Sequence, residues 1–231
     1  LEDDVPRVHF PNHPLNGDAG YPLPVEDGPV DGGGAPVLGQ EGGVDVDAAL
    51  GGQGEDIVGE EAIDRFLHGT LQDLHDPFLL ADAQKGAQIV REKIACGKRI
   101  RIIGDYDIDG ICSTYILLAG LTHCGASVDT AIPHRIHDGY GLNEHLIQEA
   151  WEAGTDTIIT CDNGIAAASQ IAHAKSLGMT VIVTDHHEVP YEVLEDGSRQ
   201  ECLPEAEAVI DPKRKDCGYP FDGICGAVVA Y

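Results

Sequence analysis

Apolar positions follow regular rhythms only downstream of about residue 57. Residues 60–68 carry helical spacing, with Ile63, Phe66 and Leu67 on one side. Residues 82–96 do so more fully: Ala87, Val90 and Ile94 line a face, and Asp82 is placed to cap the first turn. Beyond them, short runs rich in β-branched residues alternate with helix-period segments. Strands are predicted at 99–104, 127–133, 155–161, 179–184 and 206–210, and helices at 111–124, 143–153 and 165–177. This alternation predicts an α/β fold: a parallel five-stranded sheet with helices on both faces and right-handed crossovers.

Composition divides the chain differently. Residues 1–56 hold 12 of the 29 glycines and 7 of the 13 prolines, and their 12 acidic residues face a single Arg7. Such a segment buries too little apolar surface to offset the entropy of ordering. It is expected to be a disordered acidic tail, or an artefact of a wrong start site or reading frame, and no function is assigned to it. Residues 57–231 form the expected folded domain. The net charge of −26 argues against binding nucleic acid through an overall field. A local basic groove, or a partner domain carrying one, is compatible with it. Seven cysteines, an odd count without a C-x-x-C pair, point to reduced thiols and a cytoplasmic setting rather than a zinc site or disulfide framework. Neither a signal peptide nor an apolar run long enough to span a membrane is visible. The chain begins at Leu1, which suggests a fragment.

Polar residues sharpen the picture. Asp105, Asp107 and Asp109 stand at alternate positions after the first predicted strand and are followed by Gly110. Three carboxylates this close repel one another unless a cation lies between them. Asp162 and the triplet Asp185-His186-His187 also follow apolar runs, and aspartate oxygens with imidazole nitrogens suit a divalent ion such as manganese. A calcium loop of the EF-hand type also begins D-x-D-x-D-G, but the position that needs a bidentate Glu is Ile116 and the upstream flank reads as a strand. Further polar groups follow the other strands: His134 and Arg135, Asn163, and Asp211 with Lys213 and Arg214. In open α/β sheets ligands bind beyond the carboxyl ends of the strands, so one rim would gather all of them. Two ions held there could activate water and stabilise an in-line phosphoryl displacement. Arg135 is placed to grip a phosphate, with His134 beside it. His187, if not a ligand, could bond the scissile phosphate or protonate the leaving oxygen. Gly104 and Gly110 allow close approach, and the segment 137–141 could fold over substrate. His68, His75, His123, His145, His173 and Trp151 read as surface or packing residues.

Together these segments resemble the DHH phosphoesterase family, named for the triplet that is Asp185-His186-His187 here. The resemblance spans about residues 57–231. It includes Leu74-His75-Asp76-Pro77-Phe78, Gly104 to Gly110, Ile132-Pro133-His134-Arg135, Gly139-Tyr140-Gly141-Leu142-Asn143, Cys161-Asp162-Asn163-Gly164, and Asp211-Pro212-Lys213-Arg214 through Tyr219-Pro220-Phe221 to Gly226. It implies that Asp107, Asp109, Asp162 and His186 ligate Mn²⁺ or Mg²⁺, as two ions, with Asp105 in or near that shell. It implies that Arg135 and His187 contact phosphate. The branch it favours digests single-stranded DNA 5′→3′ to 5′-mononucleotides in recombination and repair, with a single-strand-binding protein and a helicase as possible partners. Family members continue past the position of Tyr231 with a further aspartate ligand, a connecting helix, a DHHA1 domain and an OB-fold, so weak or no activity is expected of these residues alone. The first 56 residues match nothing in the family. Two alternatives stay open. One is a family enzyme acting on short oligonucleotides, cyclic dinucleotides or pyrophosphate, whose first motif usually opens with a His where Ile102-Ile103-Gly104 stand here. The other is a non-catalytic structural subunit of a replication complex.

Overall fold

The computed structural model describes residues 59–134 and 141–231, so the tail 1–56, Arg135 and most of the 137–141 segment lie outside the described residues. The chain divides into two compact units, one ending at His68 and one spanning Gly69–Tyr231. Helix α1 (Glu60–His68) belongs to the first. It forms where helical spacing predicts it, yet Phe66 and Leu67 stay more than half exposed.

In the second unit, two short 3₁₀ turns (Leu71–Asp73 and Pro77–Leu79) lead into α2 (Ala83–Ala95). There follow β1 (Arg99–Ile103), α3 (Ile108–His123), β2 (Ser127–Ala131), α4 (Glu144–Glu152), β3 (Thr157–Cys161), α5 (Ala168–Ser176) and β4 (Thr180–Thr184). The hairpin β5 (Tyr191–Val193)–β6 (Arg199–Glu201), β7 (Ala208–Ile210) and α6 (Gly226–Ala230) complete it. All five predicted long-range strands pair in one parallel sheet of order β2-β1-β3-β4-β7. Every residue of β3 is buried, as a central parallel strand covered on both faces requires. Successive side chains feed opposite cores. Ile158, Val181 and Val183 pack with Leu146, Ile147 and Ile171 of α4 and α5. Ile159 and Ile182 pack with Leu80 and Ile224 and against Val90 of α2 and Leu117 of α3. At the sheet edge, Arg101 grips Asp129 through Nε and Nη2, both at 2.8 Å, and Arg99 adds a 2.7 Å bond.

Three local differences from the sequence reading have physical causes. Asp82 does not cap α2. Its backbone is left-handed (φ 60°) and its carboxylate instead accepts from the Val209 N–H (3.1 Å) and Arg214 Nη1 (3.0 Å), tying α2 to β7. Helix α3 starts at Ile108, earlier than predicted, because Asp107 caps it by accepting from the Gly110 N–H at 2.9 Å. Helix α5 starts only at Ala168, because Asp162 (φ 59°) and Gly164 (φ 113°) turn the chain sharply after β3. The β5–β6 hairpin and α6 are too short to impose a readable period.

Strand order decides where ligands can go. The chain leaves β1 for β2 on one side and returns to β3 on the other. This is a topological switch point, where the loops after β1 and β3 diverge and open a crevice.

Candidate metal centre

Asp105 leaves the end of β1 directly into this crevice. The turn is tight enough that a Cβ on Gly110 would lie 2.6 Å from the Asp105 carbonyl oxygen, and one on Gly104 would lie 2.0 Å from Thr114 Oγ1. Asp105 is buried, and its Oδ1 finds no partner among the described residues. Burial raises its pKa, with the neighbouring Asp107 adding to the rise against bonds from the Tyr106 and Gly141 backbones. Asp107 is exposed at the helix cap. Asp109, in the first turn of α3, accepts the Gly226 and Ala227 N–H groups, each at 2.7 Å. Each carboxylate oxygen retains a further lone pair.

From β3 comes Asp162, buried in its left-handed turn, with Gly226 packed so close that a Cβ there would sit 2.9 Å from Asp162 Oδ1. Burial, followed by repulsion from Asp109 and Asp107, pushes its pKa up to about 7. From the end of β4, His186 places Nε2 3.0 Å from Asp162 Oδ1 and 3.4 Å from Asp109 Oδ2. Burial and the adjacent His187 hold its pKa below the ordinary imidazole value.

Asp185 organises the triplet from within. Its Oδ1 accepts from the His186 N–H (2.8 Å) and from His187 Nδ1 (2.7 Å), and its Oδ2 accepts from the Ile165 N–H (2.9 Å). Burial works to raise its pKa, but these bonds outweigh it and hold the carboxylate ionised. The same bond raises the pKa of His187 and fixes Nδ1 as its donor, which turns Nε2 away from Asp185. Asp211, at the end of β7, is also buried. Its pKa is pushed up to about 6 by burial, and its Oδ2 has no partner among the described residues.

The structure therefore gathers donors from three strand ends into two groups: Asp105, Asp107 and Asp162, and Asp162, His186 and His187. Within each, ligand atoms lie within 4.8 Å of one another, and Asp162 is common to both. Crowded carboxylates, the raised pKa values of Asp105 and Asp162, and the buried Asp105 Oδ1 without a partner among the described residues fit a divalent cation. Asp109 adjoins the second group through His186. His134 stands exposed beyond β2, outside both groups, and Arg135 lies outside the described residues. Sequence reasoning put Arg214 on the same rim. In the fold its guanidinium is buried and paired with Asp216 and Asp82 instead. Two contributors were missed by sequence reasoning. Asp185 as anchor of His187 was hidden inside the triplet, and the Gly226–Ala227 amides that hold Asp109 were signalled only by a glycine before a short apolar run.

Known proteins share this arrangement of sequence. Residues 99–231 match the model of the DHH family, N-terminal domain. The single-stranded-DNA-specific exonuclease RecJ of Bacillus subtilis is 40% identical over 166 residues, covering 72% of this chain and 20% of that protein. Its Escherichia coli counterpart is 37% identical over 153 residues, covering 66% and 25%. This chain thus spans only about a fifth to a quarter of the length of these curated relatives. Among solved structures, an exonuclease RecJ bound to manganese superposes with TM-score 0.57 at 32% identity, over 68% of this chain and 37% of that one. RecJ from Thermus thermophilus in complex with Mn²⁺ gives TM-score 0.53 at 28% identity, over 74% and 23%. With the family model matching more than half its length, the chain belongs to the DHH family.

Proposed function

We propose that this chain is the metal-binding catalytic portion of a nuclease that hydrolyses single-stranded DNA 5′→3′, releasing 5′-mononucleotides during recombination and repair. The observation that carries this reading is the gathering of Asp105, Asp107, Asp162 and His186 at the sheet's switch point, with His187 anchored beside them by Asp185. Similarity to RecJ exonucleases supports the choice of single-stranded DNA.

Asp107, Asp109, Asp162 and His186, with Asp105 beside them, would hold Mn²⁺ or Mg²⁺, proposed as two ions. Such ions, when bound, polarise a phosphoryl oxygen and make water a better nucleophile at neutral pH. His187 has its ring fixed by Asp185 and a raised pKa. It donates through Nε2 to the scissile phosphate and supplies a proton to the departing 3′ oxygen of the terminal nucleotide. His134 and Arg135 complete the phosphate contacts. The enzyme is read as cytoplasmic, meeting DNA, a single-strand-binding protein and a helicase; as a separate observation, no helix among the described residues is long and apolar enough to cross a membrane.

The test is Mn²⁺-dependent release of mononucleotides from 5′-labelled single-stranded DNA by the intact protein, beside an Asp107→Ala/Asp109→Ala variant. Activity that vanishes in the variant is expected. Hydrolysis of dinucleotides but not of DNA would move the protein to the small-substrate branch.

A further inference from the structure

The parallel ladder between β1 and β3 ends at the pair Ile103 and Thr160, and past it the chain parts to either side of the switch point. Asn163 stands in that gap. Its amide nitrogen donates across it to the Ile103 carbonyl at 3.1 Å and back to the Cys161 carbonyl at 2.9 Å. Both partners can only accept, so the NH₂ group must face them and the orientation of the amide is settled. One side chain thus adds a rung to the sheet beyond its last backbone pair.

The rung lies where the donor groups begin. Asp105 is two residues past Ile103, and Asp162 is one residue past Cys161. Ligand atoms of these two carboxylates, with Asp107, lie within 4.8 Å of one another. Asn163 also backs a third segment. Gly141 is left-handed at φ 67°, and a Cβ there would lie 3.2 Å from the Asn163 Cβ. The Gly141 backbone in turn bonds the Asp105 carboxylate. The end of β1, the turn after β3 and the Gly141 backbone all meet on this one side chain, which is 1% exposed. Its Oδ1 has no partner among the described residues, and an acceptor buried in that way costs stability. What the residue contributes is therefore its two donors. Aspartate would set an oxygen against both carbonyls, and leucine, of the same branched shape, would leave both unbonded.

We propose that Asn163 is a positioning residue of the metal centre, fixing the separation of Asp105 and Asp162 rather than ligating an ion. The inference rests on the metal-centre reading above and adds to it a residue that sets which ion fits. Two carboxylates that repel each other, on segments that diverge, move apart without a tie. Mg²⁺ demands near-ideal octahedral geometry, so that separation bears harder on Mg²⁺ than on Mn²⁺.

The experiment measures Mn²⁺ binding to the intact protein by loss of the free-ion electron paramagnetic resonance signal, and Mg²⁺ binding by competition. Asn163→Leu keeps the branched shape without the donors, and Asn163→Ala removes both. Ile171→Ala, in the core behind α5, lowers stability and leaves the tie in place. Both Asn163 variants should weaken Mn²⁺ about tenfold and Mg²⁺ about a hundredfold, the span expected when a group behind the ligands is lost. Ile171→Ala should lower Tm in EDTA with the affinity for both ions unchanged, which separates positioning from a loss of stability. Unchanged Mn²⁺ affinity in a folded Asn163 variant, or equal weakening of the two ions, overturns the proposal. If neither variant folds, Gly141→Ala, which presses on Asn163 from outside, carries the test: it should weaken Mg²⁺ more than Mn²⁺, and unchanged affinities overturn the proposal. A wild type that binds Mn²⁺ while the variants bind it equally well leaves the metal centre standing alone. A wild type that binds no Mn²⁺ overturns both.

Discussion

Asp162 gives the sharpest quantitative test of a metal centre at this rim. In the metal-free protein its carboxylate is buried beside Asp107 and Asp109, and its pKa rises from the ordinary 3.8 to about 7. A carboxyl with a raised folded-state pKa favours folding below its unfolded value, and that contribution is lost as pH climbs through the folded value. At pH 8 the whole shift would correspond to about 4 kcal/mol of destabilisation, and relaxation of the site reduces this to roughly half. Asp162→Asn removes the charge and retains the shape. Asparagine tolerates the left-handed backbone at φ 59°, and its amide oxygen can still face His186 Nε2. In EDTA at pH 8 the variant should therefore be more stable than wild type by about 2 kcal/mol, roughly 4–8 °C in Tm for a domain of this size. The gap should narrow as pH falls and close only below the ordinary carboxylate value of 3.8, where Asp162 is protonated in both states. Saturating Mn²⁺ should reverse the order, because ligand at a hundred times its Kd stabilises the wild type by about 3 kcal/mol and a variant short of a shared ligand by much less. Thermal and urea unfolding at pH 8 and below pH 3.8, with and without metal, measure all three quantities. An Asp162→Asn protein less stable than wild type in EDTA at pH 8, or a wild type indifferent to Mn²⁺, would refute the account.

Two further outcomes follow from contacts away from the metal centre. At Asp82, where a left-handed backbone and two bonds to Val209 and Arg214 compete, urea unfolding should rank the variants Asn, then Gly, then Ala in decreasing stability. Alanine loses the bonds and keeps the backbone strain, for about 3 kcal/mol, so an alanine variant as stable as the glycine one would contradict this ranking. Bonds from Arg101, opposed by partial burial and aided by Arg99, hold the Asp129 carboxyl below its ordinary range, so the stability it contributes is present above that range and lost as pH falls through and below it. An Asp129→Asn variant should be less stable than wild type at pH 7 and converge with it as pH falls through and below the ordinary carboxylate range, as followed by circular dichroism during acid titration.

The α/β class, the five strands and the location of polar residues at their carboxyl ends were legible in the sequence. They depend on local periodicity: a β-branched run such as Thr157–Cys161 is buried on both faces wherever its sheet forms, and its period survives without knowledge of neighbours. The motif Asp105-x-Asp107-x-Asp109-Gly110 was legible for a similar reason, since three nearby carboxylates repel in any fold. Strand order was not legible. That β1 lies between β2 and β3, which opens the crevice, follows from how the crossovers pack rather than from any segment's own pattern. The same holds for Asp82, whose carboxylate prefers Arg214 and Val209 to its own helix, and for Asp109, held by amides more than a hundred residues away. Sequence by itself determined which residues carry charge and which segments become strands. Only the tertiary structure decided which carboxylates share a crevice, because burial and repulsion depend on distances between side chains that the chain brings together only by folding.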